Sequence, residues 1–310
     1  MTARPVEAQR LALLRRQIAW AEEKTSFYRE AFARTGVGPA DIRSFADMDR
    51  LPLLECAAQE GASAPFFMLA LPLSGLLRMS VLHDAAGDPG RPHFYTRGDV
   101  ARQVRTAAEL FTACGVNRAS TVLLAGDFAD GRMLDLQYAL DMIGALTLPL
   151  GISPDTERMT AALRGAVPDT LVVWEEALPG LAAALRARGI VAQRLVTVGT
   201  RIAPTKESRS LSAEIAAQHM HILSNAALGA TVGYSRAGEN GIRLEERLFF
   251  AEVLDAAGRS HIEDGAAGEL VLSTLTAEAM PVLRYRTGLK ARLERRVRDA
   301  AEIGLYIMEV

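Results

Sequence analysis

The chain has 310 residues, 49% of them hydrophobic and 23% charged, with a formal net charge of −2. That length exceeds one simple core, so we expect one contiguous structural unit of two or three packed sub-layers. The composition excludes a disordered scaffold, and the near-neutral charge gives no electrostatic reason to expect nucleic acid or an anionic membrane as partner. Two cysteines far apart, Cys56 and Cys114, exclude a disulfide framework and a thiolate metal site and read as small apolar core residues. No apolar run follows the first arginines, and Ala64 to Leu73 is cut by Pro65 and Pro72. A signal peptide and a membrane span are therefore not expected, and the expected compartment is the cytoplasm.

The first stretch reads as helix, with Leu11, Leu14, Ile18 and Ala21 at helical spacing. Thr35 to Pro39 breaks it, and Ser44 with Asp47 predicts a capping box for a short helix ending before Leu51-Pro52. From about Ser120 strands and helices alternate. Thr121 to Ala125, Leu146 to Leu150, Leu171 to Trp174 and Ile190 to Gly199 read as strands. Gly131 to Gly144, a segment opened by Ser153-Pro154 and running to Gly165, and Leu178 to Arg188 read as helices. Continuous apolar strands between helices predict a largely parallel sheet with both faces covered. After about Gly241 the alternation stops. Leu248 to Leu254, Gly268 to Leu275, Val282 to Tyr285 and Leu305 to Met308 predict an antiparallel or barrel-like segment. The fold class is α/β, organised as a helical preface (1–80), an α/β core (81–240) and a β-rich segment (241–310).

No G-x-S-x-G, H-E-x-x-H, C-x-x-C, G-x-G-x-x-G or Walker A sequence is present. The run Gly126-Asp127-Phe128-Ala129-Asp130-Gly131 lacks the ligand ladder of a calcium loop and reads as a solvated strand-to-helix connection. His219 and His221 fall on one side of a candidate strand, with no third metal ligand in view.

Three segments carry more. They are Phe27-Tyr28-Arg29 through Leu51-Pro52; His83 through Pro92 with Tyr95-Thr96; and Gly265 to Gly288, GAAGELVLSTLTAEAMPVLRYRTG. Together, in order, they resemble the phenylacetate–CoA ligase branch of the adenylate-forming enzymes. The resemblance implies the large domain of such an enzyme: acid and ATP give an acyl adenylate, which passes its acyl group to coenzyme A. It also implies a glycine-rich phosphate loop at Gly87, Gly90 and Arg91, and a nucleotide-sugar contact at Arg286, Thr287 and Gly288.

The same resemblance exposes departures. Where the family's loop has serines and threonines, this chain has Ala85, Ala86, Asp88 and Pro89. Pro89 has no N–H to donate, and Asp88 sets a negative charge beside a polyphosphate. Leu289 stands where the family's aspartate accepts from ribose. His221-Ile222-Leu223-Ser224-Asn225 stands where its tyrosine and magnesium-holding glutamate belong. The chain stops about twenty residues past Gly288, so the family's small catalytic-lysine domain is not expected.

The expectation is a degenerate, non-catalytic ligase-like protein with no catalytic residue and no bound metal or cofactor. It would bind an acyl or nucleotide-like ligand, or act as a homo-oligomer or with a partner protein. Two alternatives stand beside it. One is a working ATP-, magnesium- and CoA-dependent acid ligase, alone or completed by another chain; the other is a purely structural subunit. For each vestigial residue the plain reading also stands: turn glycines, a surface cation and a strand-end arginine.

Overall fold

The computed structural model describes residues 3–55, 66–83, 90–152, 156–165, 167–298 and 302–310. The predicted first helix is longer than its apolar stripe suggests: α1 (Ala3–Lys24) buries Leu14, Ile18 and Ala21. Thr25 caps α2 (Ser26–Thr35), its Oγ1 accepting from the Tyr28 N–H at 3.2 Å, and Gly36 ends it at φ 66°. The Ser44–Asp47 capping box forms, Ser44 N–H donating to Asp47 Oδ2 at 2.7 Å, but it opens a 3₁₀ turn over Phe45–Arg50.

The order continues β1 (Arg78–Leu82), β2 (Arg91–Tyr95), α3 (Arg97–Ala113), β3 (Thr121–Ala125), α4 (Gly131–Ile143) and β4 (Leu146–Leu150). Next come α5 (Thr156–Gly165), β5 (Thr170–Trp174), α6 (Leu178–Arg186), β6 (Ala192–Gly199), α7 (Lys206–Ile215) and β7 (Ala216–Asn225). The last elements are β8 (Gly229–Ser235), β9 (Ile242–Leu244), β10 (Phe249–Leu254), β11 (Ser260–His261), β12 (Ala267–Thr274), β13 (Tyr285–Arg298) and β14 (Glu302–Glu309). Among the described residues no helix is long and apolar enough to cross a membrane. The Ser153-Pro154 helix start lies outside the described residues.

Two compact units emerge. One gathers residues 1–80, 89–100 and 243–310; the other gathers 81–88 and 101–242. In the second, strands run in the order β8-β7-β6-β5-β3-β4, parallel from β7 to β4, with β8 antiparallel to β7. Leu123 and Ala125 of β3, Leu171 and Val173 of β5 and Leu195 of β6 form its core with Met159, Leu181, Leu185 and Ile215 from α5, α6 and α7. Strand β4 is the last in this order. Its Leu146 N–H and Leu150 carbonyl bond towards β3, so Thr147 and Pro149 turn their main chain to the outer side.

The first unit holds the antiparallel run β11-β10-β12-β13-β14. Here the expected strand Val282–Tyr285 is corrected. Residues 277–284 are irregular, and β13 starts at Tyr285 and runs fourteen residues to Arg298. The reason is local: Pro281 cannot donate to a ladder, and Arg284 sits at φ 52°, outside the extended region. Beyond it, buried Ala291 and Leu293 alternate with charged residues, a period-two pattern that the arginines obscure.

Arg284 is held in this conformation by partners of its main chain and of its Nε and Nη1. It is 2% exposed, and its Nε meets Glu252 Oε1 at 2.6 Å. Its Nη1 donates to the carbonyls of Asp49 and Leu51, and its N–H to Ser273 Oγ at 2.8 Å. Ser260 Oγ satisfies the other Glu252 oxygen. On either side of Tyr285, Arg284 O accepts from Leu54 N–H at 2.9 Å and Arg286 N–H donates to Leu54 O at 3.1 Å. Breaking a buried pair leaves an uncompensated charge, so Arg284→Ala is expected to cost about 3–5 kcal/mol in denaturant unfolding. The double variant with Glu252→Ala is expected to be clearly less destabilised than the two single losses summed; strict additivity would contradict a coupled pair.

Candidate functional site

In the first unit the predicted nucleotide residues fall at the start of β13. Arg91, at the head of β2, donates from Nη1 to Tyr285 Oη at 3.3 Å, which brings the end of the glycine-rich segment to the Tyr285–Gly288 motif. Gly90 has φ 80° and Gly288 φ 73°, a backbone region that favours glycine. Gly87 and residues 84–89 as a whole lie outside the described residues. Arg286 is already engaged: its Nε lies 3.0 Å from Glu269 Oε1, its Nη2 bonds Glu269 Oε2, and its Nη1 reaches Glu55 Oε1 at 2.9 Å. The fork–carboxylate pair holds Glu269 below the ordinary carboxylate range and raises Arg286. Thr287 Oγ1 donates to Leu270 O at 2.7 Å and accepts from Leu289 N–H at 3.2 Å. The motif is thus tied into its own sheet through the side chains expected to face a sugar.

In the second unit the carboxyl ends of the parallel strands converge at Trp174, Gly199 and Ser224-Asn225, the end where such sheets take ligands. Asn225 stands at the expected glutamate position, and its Oδ1 accepts from Ala227 N–H at 2.9 Å within the turn into β8. One amide oxygen already spent on the backbone is a poor donor set for a hard dication, so these residues do not fit magnesium. Among the described residues no group of three His, Cys, Asp or Glu gathers to hold a metal.

His221, at the expected tyrosine position, is 1% exposed and turned inward. Its Nε2 lies 3.0 Å from Arg201 O and its Nδ1 2.9 Å from Thr197 Oγ1, which is also 2.9 Å from His219 Nε2. A carbonyl only accepts, so in neutral His221 the hydrogen is on Nε2 and Thr197 O–H donates to Nδ1. The hydroxyl hydrogen is then used, and His219 must donate from Nε2. Burial lowers both imidazoles to about 4, with Arg209 pressing His219 further down and His219 acting on His221.

Two features escaped the sequence reading. Asp130 and Arg132, at the start of α4, are 6% and 0% exposed. The Gly126–Gly131 run is therefore solvated only at Asp127 and Ala129, and buried where it meets the helix. Asp130 caps α4 through Arg132 N–H at 2.9 Å and receives Arg132 Nε at 2.9 and 3.0 Å. Two opposite charges at i and i+2 look like a surface pair; nothing in one sequence marks them as interior. Glu175 at the end of β5 is the second, a carboxyl that burial raises above its ordinary range. Its Oε2 stands 2.3 Å from where a Cβ on Gly199 would lie, so a side chain there would have to displace the Glu175 carboxylate.

No protein-family model matches the chain. It is similar to the phenylacetate-coenzyme A ligase of Aromatoleum evansii, 28% identical over 299 residues that take in 93% of this chain and 66% of the relative. The phenylacetate-coenzyme A ligase of Pseudomonas putida is 26% identical over 91% of this chain and 65% of its own length. The chain thus spans about two thirds of the length of these curated relatives. Among solved structures, 2-hydroxyisobutyryl-CoA ligase in complex with 2-HIB-AMP and CoA superposes with a TM-score of 0.87 at 17% identity. That match covers 100% of this chain and 68% of the other. The N-terminal subdomain of Klebsiella oxytoca NpsA gives 0.51 at 14% identity over 82% of this chain and 67% of that one. The resemblance read from the three segments therefore extends along nearly the whole chain, and the fold is that of adenylate-forming CoA ligases.

The histidine chain gives a pH test with a definite sign. Both folded-state values lie below the ordinary ~6.5, so the unfolded state takes up more protons as pH falls. Their contribution is complete above pH ~6.5 and is lost as pH drops towards about 4. His261, raised by its hydrogen bonds to Asp255 and Glu263, acts in the opposite direction. The measurement is therefore a difference: unfolding free energy from pH 7.5 to 4.5 for the natural chain and for His219→Gln/His221→Gln. The natural chain is expected to lose more stability over this range; parallel curves would contradict buried neutral imidazoles.

Proposed function

We propose that this protein is a phenylacetate–CoA-ligase-like scaffold that does not form acyl adenylates by itself and has kept a binding role. The observation that carries this is the state of the two positions where the family places carboxylates. Asn225 is neutral and spends its Oδ1 on the Ala227 N–H, and Leu289 offers a ribose no acceptor. Arg286, within the Tyr285–Gly288 motif, already balances Glu269 and Glu55. Adenylation proceeds through concentrated negative charge on phosphates, and removing preorganised donors and metal ligands removes stabilisation of that charge. ATP, magnesium and coenzyme A enter only if the chain works as a ligase, alone or completed by another chain. An acyl or nucleotide-like small molecule, or a protein partner, is the ligand class of the binding role. No position is assigned a catalytic part. Gly87, Gly90, Arg91, Arg286, Thr287 and Gly288 are the residues we would place around any retained nucleotide.

Pyrophosphate exchange into ATP, with phenylacetate or related aryl acids and magnesium, is expected to equal the no-enzyme blank. Exchange well above the blank that heat denaturation abolishes would reverse the reading.

Binding without chemistry has its own measurement. With a dissociation constant of ~50 μM, ~5 mM Mg·ATP would stabilise the fold by ~2.7 kcal/mol. For a chain of this size that raises the melting temperature by roughly 5 °C. A rise below about 1 °C is expected, because each lost hydrogen bond to a charged group forfeits ~1.5–3 kcal/mol. A reproducible rise of several degrees at matched ionic strength would restore the enzyme reading.

A further inference from the structure

Arg132 is fully buried, and its surroundings form a cage that suits a guanidinium. Asp130 meets its Nε at 2.9 and 3.0 Å and also accepts from Nη2. The Trp174 ring lies 4.7 Å from the guanidinium carbon. Ser224 Oγ stands 3.4 Å from Nη1, and the His83 carbonyl accepts from Nη2. A carboxylate fork, an indole face, a hydroxyl and a carbonyl are the complementary set for a planar cation with five donors.

The position matters as much as the chemistry. Trp174 ends β5, Ser224 lies one residue before the end of β7, and Asp130 belongs to the connection leaving β3. These are carboxyl ends of parallel strands, where open α/β sheets place ligands. Burying a charge there requires pairing, and Asp130, Trp174, Ser224 and the His83 carbonyl, all of this one unit, supply it.

We propose that Arg132 is a built-in ligand: the Asp130–Trp174–Ser224 cage is a guanidinium site occupied by the protein's own side chain, which closes that end of the sheet. This deepens the binding role proposed above and rests on it for its functional meaning. The cage's natural competitor would be a guanidinium-bearing molecule, and the chain excludes it by intramolecular occupancy. The test reads the cage alone, so it can fail while pyrophosphate exchange remains at the blank, and the reverse.

Arg132→Ala vacates the cage. Thermal melts of this variant and of the natural chain are run with up to ~10 mM methylguanidinium, with urea as the neutral isostere and with sodium chloride for ionic strength. Methylguanidinium is expected to raise the variant's melting temperature saturably, by about 3 °C or more at roughly ten times its dissociation constant, and to leave the natural chain within about 1 °C. Trp174→Leu in the Arg132→Ala background is expected to weaken the saturation several-fold, reporting the ring. The same response in both proteins, the same response to urea, or no response overturns the proposal. If Arg132→Ala does not fold alone, it is refolded with each additive. Recovery of the native circular dichroism with methylguanidinium but not urea supports the cage, and equal recovery or none with either counts against it.

Discussion

The first unit depends on keeping one arginine out of its preferred backbone region. A left-handed conformation is sparsely used by a residue with a side chain and costs on the order of 1 kcal/mol or more. Arg284 stays there because its guanidinium is clamped by Glu252 and by the Asp49 and Leu51 carbonyls, while its main chain bonds Leu54 and Ser273. That single residue joins the N-terminal helical segment to β10 and β12, and it sets the direction in which Tyr285–Gly288 leaves. Around it the irregular 277–284 stretch is tied down from several elements: Gln17 and Trp20 of α1 donate to Ala277 O and Glu278 O, Tyr28 Oη accepts from Leu283 N–H, and Asp99 accepts from Glu278 and Ala279 N–H.

In the second unit the organising constraint is desolvation at the ends of parallel strands. Three ionisable groups sit there for different reasons. Arg132 is fully paired, His221 stays neutral in a chain with one hydroxyl hydrogen to share, and Glu175 is pushed up by burial. All three are polar groups pointed inward, as in a sheet whose ligand end has been refitted with its own side chains.

The alternating elements were legible because hydrophobic period and turn residues are local signals. Thr121–Ala125 and Leu146–Leu150 fall where the apolar runs end at Gly126 and Gly151. The long β13 was not legible, since Lys290, Arg292 and Arg295 read as loop until β12 and β14 are known to flank them. At the site, the sequence showed which side chains depart from the family at positions 225 and 289. It could not show what Asn225 and Arg286 do instead, because their partners are set by turn geometry and by a residue 17 positions away. The buried Asp130–Arg132 pair left no trace at all, since burial of a charged pair is a tertiary fact.

The orientation of β4 bears on how copies of this molecule meet in concentrated solution. Tyr138, Met142 and Leu146 give that flank an apolar surface, 47%, 56% and 57% exposed. A sheet margin beside such a surface would ordinarily recruit further strands. Here one of the two outward main-chain positions is Pro149, which has no hydrogen to offer. A strand approaching from another copy would find one of its carbonyls unanswered. The proline thus removes one of the donors that strand addition along this margin would need, and the apolar flank lies beside a weakened template.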